Sequence, residues 1–136
     1  MIENCAILFG IYDHMKVLLV DDSSNVRMLI GKLLKKKGAE VIEAENGAQG
    51  LEQLIKNRDV NLIICDVNMP VMDGITMVER YSENVKEGAP NIPIAMLTTE
   101  REKDLVLRAK KCGVIVWIIK PATEKSINAL YEKINA

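Results

Sequence analysis

Neither sign of charge is in excess: 18 Lys and Arg stand against 19 Asp and Glu. This leaves no overall field to draw in nucleic acid or an anionic membrane surface. The three cysteines, Cys5, Cys65 and Cys112, are odd in number and have no CxxC spacing, which argues for a reduced, cytoplasmic setting rather than a disulfide framework. The only apolar stretch near an end, Cys5 to Tyr12, is too short to span a bilayer. It has no basic leader and no small-residue cleavage site, so neither export nor membrane insertion is expected. Low-complexity segments are absent, and 136 residues close one hydrophobic core but not two.

With 49% apolar and 27% charged residues, the composition is that of an ordinary globular domain. From Met15 onward, short β-rich runs alternate with segments of helical period, the sequence form of βα units around a parallel sheet. Strands are expected at Lys16 to Val20, Glu40 to Ala44, Asn61 to Cys65, Ile94 to Leu97 and Val114 to Ile119. The first and last are nearly all apolar, which predicts burial on both faces. The first helix should follow an N-cap at Ser24 and place Val26, Leu29, Ile30, Leu33 and Leu34 inward. Lys35, Lys36 and Lys37 before Gly38 then read as cations at a helix C-terminus rather than a nucleic-acid patch. A second helix after Asn46 turns Ala48, Leu51, Leu54 and Ile55 inward. A third from about Ile75 does so with Val78 and Tyr81, a fourth from about Glu102 to Cys112 with Leu105 and Ala109, and the last with Ile127, Leu130, Tyr131 and Ile134. Right-handed crossovers make this a doubly wound α/β sheet whose ligands bind beyond the carboxyl ends of its strands.

Those strand ends carry polar groups: Asp21 and Asp22 after the first strand, Asp66 after the third, Thr98 after the fourth and Lys120 after the fifth. Any one of them is an ordinary strand terminator; together they are a pattern. Three neighbouring carboxylates repel unless a cation neutralises them, and an all-oxygen site suits Mg²⁺. Asp22 and Asp66 are the expected direct ligands, Asp21 holds a metal-bound water, and the Asn68 backbone carbonyl completes the shell. An aspartate is already ionised at neutral pH, so Asp66 can attack phosphorus without a general base. Phosphoryl transfer then needs charge neutralisation, for which the metal, the Lys120 ammonium and the Thr98 hydroxyl are available.

The blocks Val-Asp-Asp-Ser, Cys-Asp-Val-Asn-Met-Pro-Val-Met-Asp-Gly, Met-Leu-Thr-Thr-Glu and Ile-Lys-Pro resemble the signatures of response-regulator receiver domains over Met15 to Ala136. The resemblance implies a flavodoxin-like, CheY-like three-layer sandwich with strand order 2-1-3-4-5, a receiver domain over 15–136 and an N-terminal extension over 1–14. It implies a phosphoaspartate at Asp66, a metal site at Asp21 and Asp22, a switch hydroxyl at Thr98, a phosphate-binding Lys120 and a cis Lys120-Pro121 bond. It also implies Mg²⁺ as cofactor, a histidine kinase or phosphotransfer protein as donor, and a downstream protein bound by the fourth helix, fifth strand and fifth helix. Such a domain is a signalling acceptor that assists its own phosphorylation and dephosphorylation, and here no output domain is expected beyond the last helix.

Some positions depart from the family's usual residues. Trp117 stands three before the lysine, where Tyr or Phe commonly acts as the switch aromatic; the other reading is that it only packs. Thr99 is bulkier than the usual small residue and is expected to narrow the approach to the acceptor. Asn68 and Glu100, two residues beyond Asp66 and Thr98, resemble positions that tune autodephosphorylation. Residues 1–14 are either an upstream start or an extra strand or docking segment. The competing class is a Mg²⁺-dependent phosphatase with an Asp nucleophile, but its usual second Asp is here Asn68 and no cap domain is evident. A flavodoxin-like cofactor binder is disfavoured by the acidic first βα turn.

Overall fold

The computed structural model describes residues 14–99 and 103–135. Five strands, β1 (Lys16–Val20), β2 (Glu40–Ala44), β3 (Leu62–Asp66), β4 (Ile94–Thr98) and β5 (Val114–Ile119), form one parallel sheet in the order β2-β1-β3-β4-β5. Between and after them run α1 (Ser24–Lys36), α2 (Gly47–Lys56), α3 (Gly74–Lys86), α4 (Lys103–Lys110) and α5 (Glu124–Ile134). The expected order and the doubly wound architecture are both present.

The alternation of side chains along each strand sends one set to either face of the sheet. Val17, Leu19, Leu62, Ile64, Ala95 and Leu97 pack against Ile30 and Leu34 of α1 and Ile127, Leu130 and Tyr131 of α5. Leu18, Val20, Ile63, Cys65 and Met96 face the other way, onto α2, α3 and α4 through Leu54, Val78, Tyr81 and Ala109. The central strands β3 and β4 are buried along their whole length, as strands covered on both faces must be. β5 is not: Ile115 is 37% and Ile119 52% exposed. Its position at the sheet edge, with a partner on one side only, overrides what its apolar run suggests.

Helix starts are set by local side-chain acceptors. The N-cap of α1 is Ser23, not Ser24: Ser23 has extended backbone and its hydroxyl accepts from the Val26 amide at 3.3 Å. The Ser23 amide is already held by the Asp21 carboxylate at 2.8 Å, which fixes the turn one residue early. Asn46 caps α2 and Asp73 caps α3, the latter accepting from the Thr76 amide at 2.8 Å. Thr123 and Ser126 form a reciprocal capping box on α5. Lys35 and Lys36 occupy the last turn of α1, and Gly38 follows at φ +86°, a conformation an L-residue resists. Leu29 and Ile55, expected inward, are 60% and 73% exposed. In each case the adjacent residue on the helix, Ile30 or Leu54, fills the core position instead.

Among the described residues, the turn between β3 and α3 is the one place where a non-glycine residue has positive φ: Val71, at +67°. The Met72 amide donates to the Pro70 carbonyl at 2.7 Å across it, closing a γ-turn. A β-branched side chain in this region is strained, and Val71 is 86% exposed. The expected extension over 1–14 lies outside the described residues apart from His14.

Candidate functional site

β1 and β3 are hydrogen-bonded neighbours, so their carboxyl ends bring Asp21, Asp22 and Asp66 together beyond the sheet. One oxygen from each of the three carboxylates lies within 4.8 Å of the others. Asp21 and Asp66 are each 1% exposed, whereas Asp22 faces solvent. β5 ends at Ile119, so Lys120 follows at the same rim, its amide donating to the Thr98 carbonyl at 2.9 Å. Its ammonium forms an ion pair with the Asp66 carboxylate at 2.5 Å. The Lys120-Pro121 bond is cis, as the signature implied. A cleft of about 580 Å³ opens over these groups and is also lined by Asn68, Asp73, Thr99 and Arg108.

Burial is the main force on the two inner carboxyls. It pushes Asp66 above the ordinary carboxylate range, opposed by its hydrogen bond and charge contact with Lys120 and by the Asn68 amide. Burial also raises Asp21, opposed by the Ser23 amide and reinforced by the charge of Asp66. The second Asp21 oxygen, Oδ2, is buried with no hydrogen-bond partner among the described residues. An orphaned buried oxygen beside two further carboxylates is what a hard cation would satisfy, since Mg²⁺ takes oxygen ligands in this kind of set.

The raised pKa values carry a stability consequence for the metal-free protein. Above the ordinary value of about 4, the unfolded chain has released protons that the native carboxyls still hold. Native stability therefore falls as pH rises through the window between the two values. In the presence of chelator at pH 7, Asp21→Asn is expected to melt a few degrees above the parent, the difference shrinking toward pH 4. Equal or lower melting temperatures at neutral pH would show that the cluster is not a burden.

Four of the five expected groups thus meet. Thr98 is buried at the end of β4, but its hydroxyl donates to the Thr99 carbonyl at 3.1 Å and does not line the cleft. Thr99 does, and is exposed. Asn68 is at the cleft with an exposed side chain. Glu100 lies outside the described residues. Trp117 is partly buried against the core on the α2, α3 and α4 side, paired in register with Met96. Sequence reasoning missed Arg27, whose guanidinium donates to the Asp21 carbonyl at 2.6 Å while pairing with Glu43 at 2.9 Å. It ties the loop after β1 to β2. A charged residue on an amphipathic helix reads as solvated, so periodicity gave no signal for it. The same is true of Arg108, and Asp73 was read only as a turn residue.

A family model described as "Response regulator receiver domain" matches residues 17–132. The chain is 40% identical over 121 residues to a chemotaxis protein CheY homolog of Campylobacter jejuni, covering 88% of this chain and 92% of that one. It is 42% identical over 121 residues to chemotaxis protein CheY1 of Helicobacter pylori, covering 87% and 94%. Among solved structures, Vibrio cholerae CheY4 superposes with a TM-score of 0.77 at 33% identity, over 89% of this chain and 98% of that one.

Proposed function

The chain belongs to the response regulator receiver domain family, and from that premise we propose that Asp66 is the phosphoryl acceptor of a two-component response regulator, with a receiver domain spanning 15–136 after a 14-residue extension. The observation that carries this reading is the convergence of Asp21, Asp22 and Asp66 with the Lys120 ammonium in one cleft. A histidine kinase or phosphotransfer protein is the donor, and the chemotaxis relatives favour a chemotaxis setting. No described helix is long and apolar enough to cross a membrane, and Cys65 and Cys112 are free thiols, in keeping with a reducing cytoplasm.

Asp66 contributes one carboxylate oxygen to a new O–P bond while the donor's bond to phosphorus breaks and the leaving group departs with its electron pair. Asp22, Asp66 and the Asn68 carbonyl would hold Mg²⁺, with Asp21 oriented toward a water of its shell. Bound there, the ion would screen the carboxylates and neutralise charge on a phosphoryl oxygen. Lys120 neutralises a second oxygen from its place beside Asp66. For the third, the Thr98 hydroxyl would exchange the Thr99 carbonyl, to which it donates at 3.1 Å, for the phosphoryl group. That exchange is the switch, and Trp117 on β5 follows it. Leu107 on α4 and Ile115 and Ile119 on β5, all exposed, support an output surface on α4, β5 and α5.

The test is fluorescence of Trp117, the sole tryptophan, on adding Mg²⁺ with beryllofluoride, a phosphoryl mimic. A saturable change that needs both components is expected. No change would remove Trp117 from the switch. Turnover of a small phosphodonor without any covalent adduct would favour the Asp-nucleophile phosphatase.

A further inference from the structure

Arg108 lines the acceptor cleft, is exposed, and belongs to none of the signature blocks. Its guanidinium, on α4, grips both carboxylate oxygens of Glu79 on α3: Nη2 to Oε1 at 2.7 Å and Nε to Oε2 at 3.3 Å. It lines the acceptor cleft with Asp66, Thr99 and Lys120, and a second, adjoining cleft with Lys110 and Lys111.

An anion entering the acceptor cleft meets a strongly negative wall of Asp21, Asp22, Asp66 and Asp73. Among the described residues lining it, the cations are Lys120 and Arg108, and the Lys120 ammonium is already held against Asp66. Beyond the contacts that the metal, Lys120 and Thr98 would make, an approaching phosphodonor gains from a further positive charge at this negative wall, and the planar guanidinium fork matches phosphate oxygens two at a time, each of which accepts from more than one donor. The grip of Glu79 does not forbid this. Both side chains are exposed, at 53% and 39%, and an ion pair in water is held weakly enough to be exchanged.

We propose that Arg108 is a binding residue for the phosphodonor: it leaves Glu79 to bind the incoming phosphoryl group, so that Glu79 acts as its competitor. This rests on the reading of Asp66 as acceptor. It separates two roles that an ion pair usually confounds. If the pair only staples α3 to α4, removing either partner has the same consequence. If Glu79 holds Arg108 in reserve, the two removals act in opposite directions.

The experiment measures initial rates of adduct formation by intact mass against acetyl phosphate concentration at saturating Mg²⁺. Arg108→Ala is expected to raise the half-saturating concentration about tenfold, with the limiting rate little changed. Glu79→Gln is expected to lower it about threefold, and Arg108→Lys to fall between Arg108→Ala and the parent. Added salt should weaken binding more in the parent than in Arg108→Ala. A parent that forms an adduct while Glu79→Gln leaves the half-saturating concentration unchanged or raises it, or while Arg108→Ala leaves it unchanged, overturns the role of Arg108 alone. A parent that forms no adduct overturns the acceptor reading and this one with it.

Discussion

Asp66→Asn is expected to carry no phosphoryl adduct after incubation with Mg²⁺ and a small phosphodonor, whereas the parent should gain one phosphoryl group. The amide has no ionised oxygen to attack phosphorus, and it withdraws one of the three charges that a cation would bridge. The loss should be complete within detection, because Asp21 and Asp22 would serve as metal-site residues rather than as replacements in line with the donor. The loss of function should not be a loss of fold. Burial already holds the Asp66 carboxyl above its ordinary range, so a neutral isostere relieves an unfavourable charge. The variant should melt, metal-free at neutral pH, no lower than the parent. An adduct on the variant, or its unfolding, would contradict this account of the site.

Gly74→Ala is expected to have the largest effect on stability. A Cβ built at Gly74 falls 2.0 Å from the Asp66 carbonyl oxygen, 2.9 Å from its carbonyl carbon and 3.0 Å from the Cys65 sulfur. The first two atoms are backbone at the end of a fully buried strand, and the Gly74 amide is itself bonded to the Val67 carbonyl at 2.9 Å. Neither side of the contact can swing away as a long side chain would. The start of α3 must move off β3, at a cost of roughly 3 kcal/mol and about 10 °C in melting temperature. Gly31→Ala is the matched control. A Cβ there meets nothing within 4 Å, and Ala in a helix interior is favoured by about 1 kcal/mol over Gly. Thermal unfolding of the two variants should therefore shift in opposite directions. A Gly74→Ala protein with the parent's melting temperature would mean that the close approach of α3 to Asp66 is not tight.

The strands were legible because a parallel sheet buried on both faces leaves short β-branched apolar runs that a surface element has no reason to carry. Strand bounds shifted by a residue at Asp66 and Thr98, where the residue chosen for chemistry is also the last to pair. Periodicity failed at Leu29 and Ile55 because an apolar stripe on a helix is wider than the line of residues that the sheet contacts. It failed at β5 because hydrophobicity does not encode whether a strand lies at an edge. Of the site, the acidic cluster and Lys120 were readable, since strand ends converge by topology alone. The rotamer of Thr98 was not, because its hydroxyl has a local acceptor in the Thr99 carbonyl. Nor were Arg27 and Arg108, whose ion pairs with Glu43 and Glu79 join different elements.

On the proposed reading Asp66, among the carboxylates of this cleft, forms the bond to phosphorus. Borohydride reduces an acyl phosphate to an alcohol and leaves free carboxylates unchanged, so treatment of the phosphodonor-treated protein, followed by peptide mass mapping, marks the acceptor. The reduced side chain is expected at position 66 alone, dependent on Mg²⁺ and on the donor. Reduction at Asp21, Asp22 or Asp73 instead, or none in a protein that carries the phosphoryl group, would contradict it.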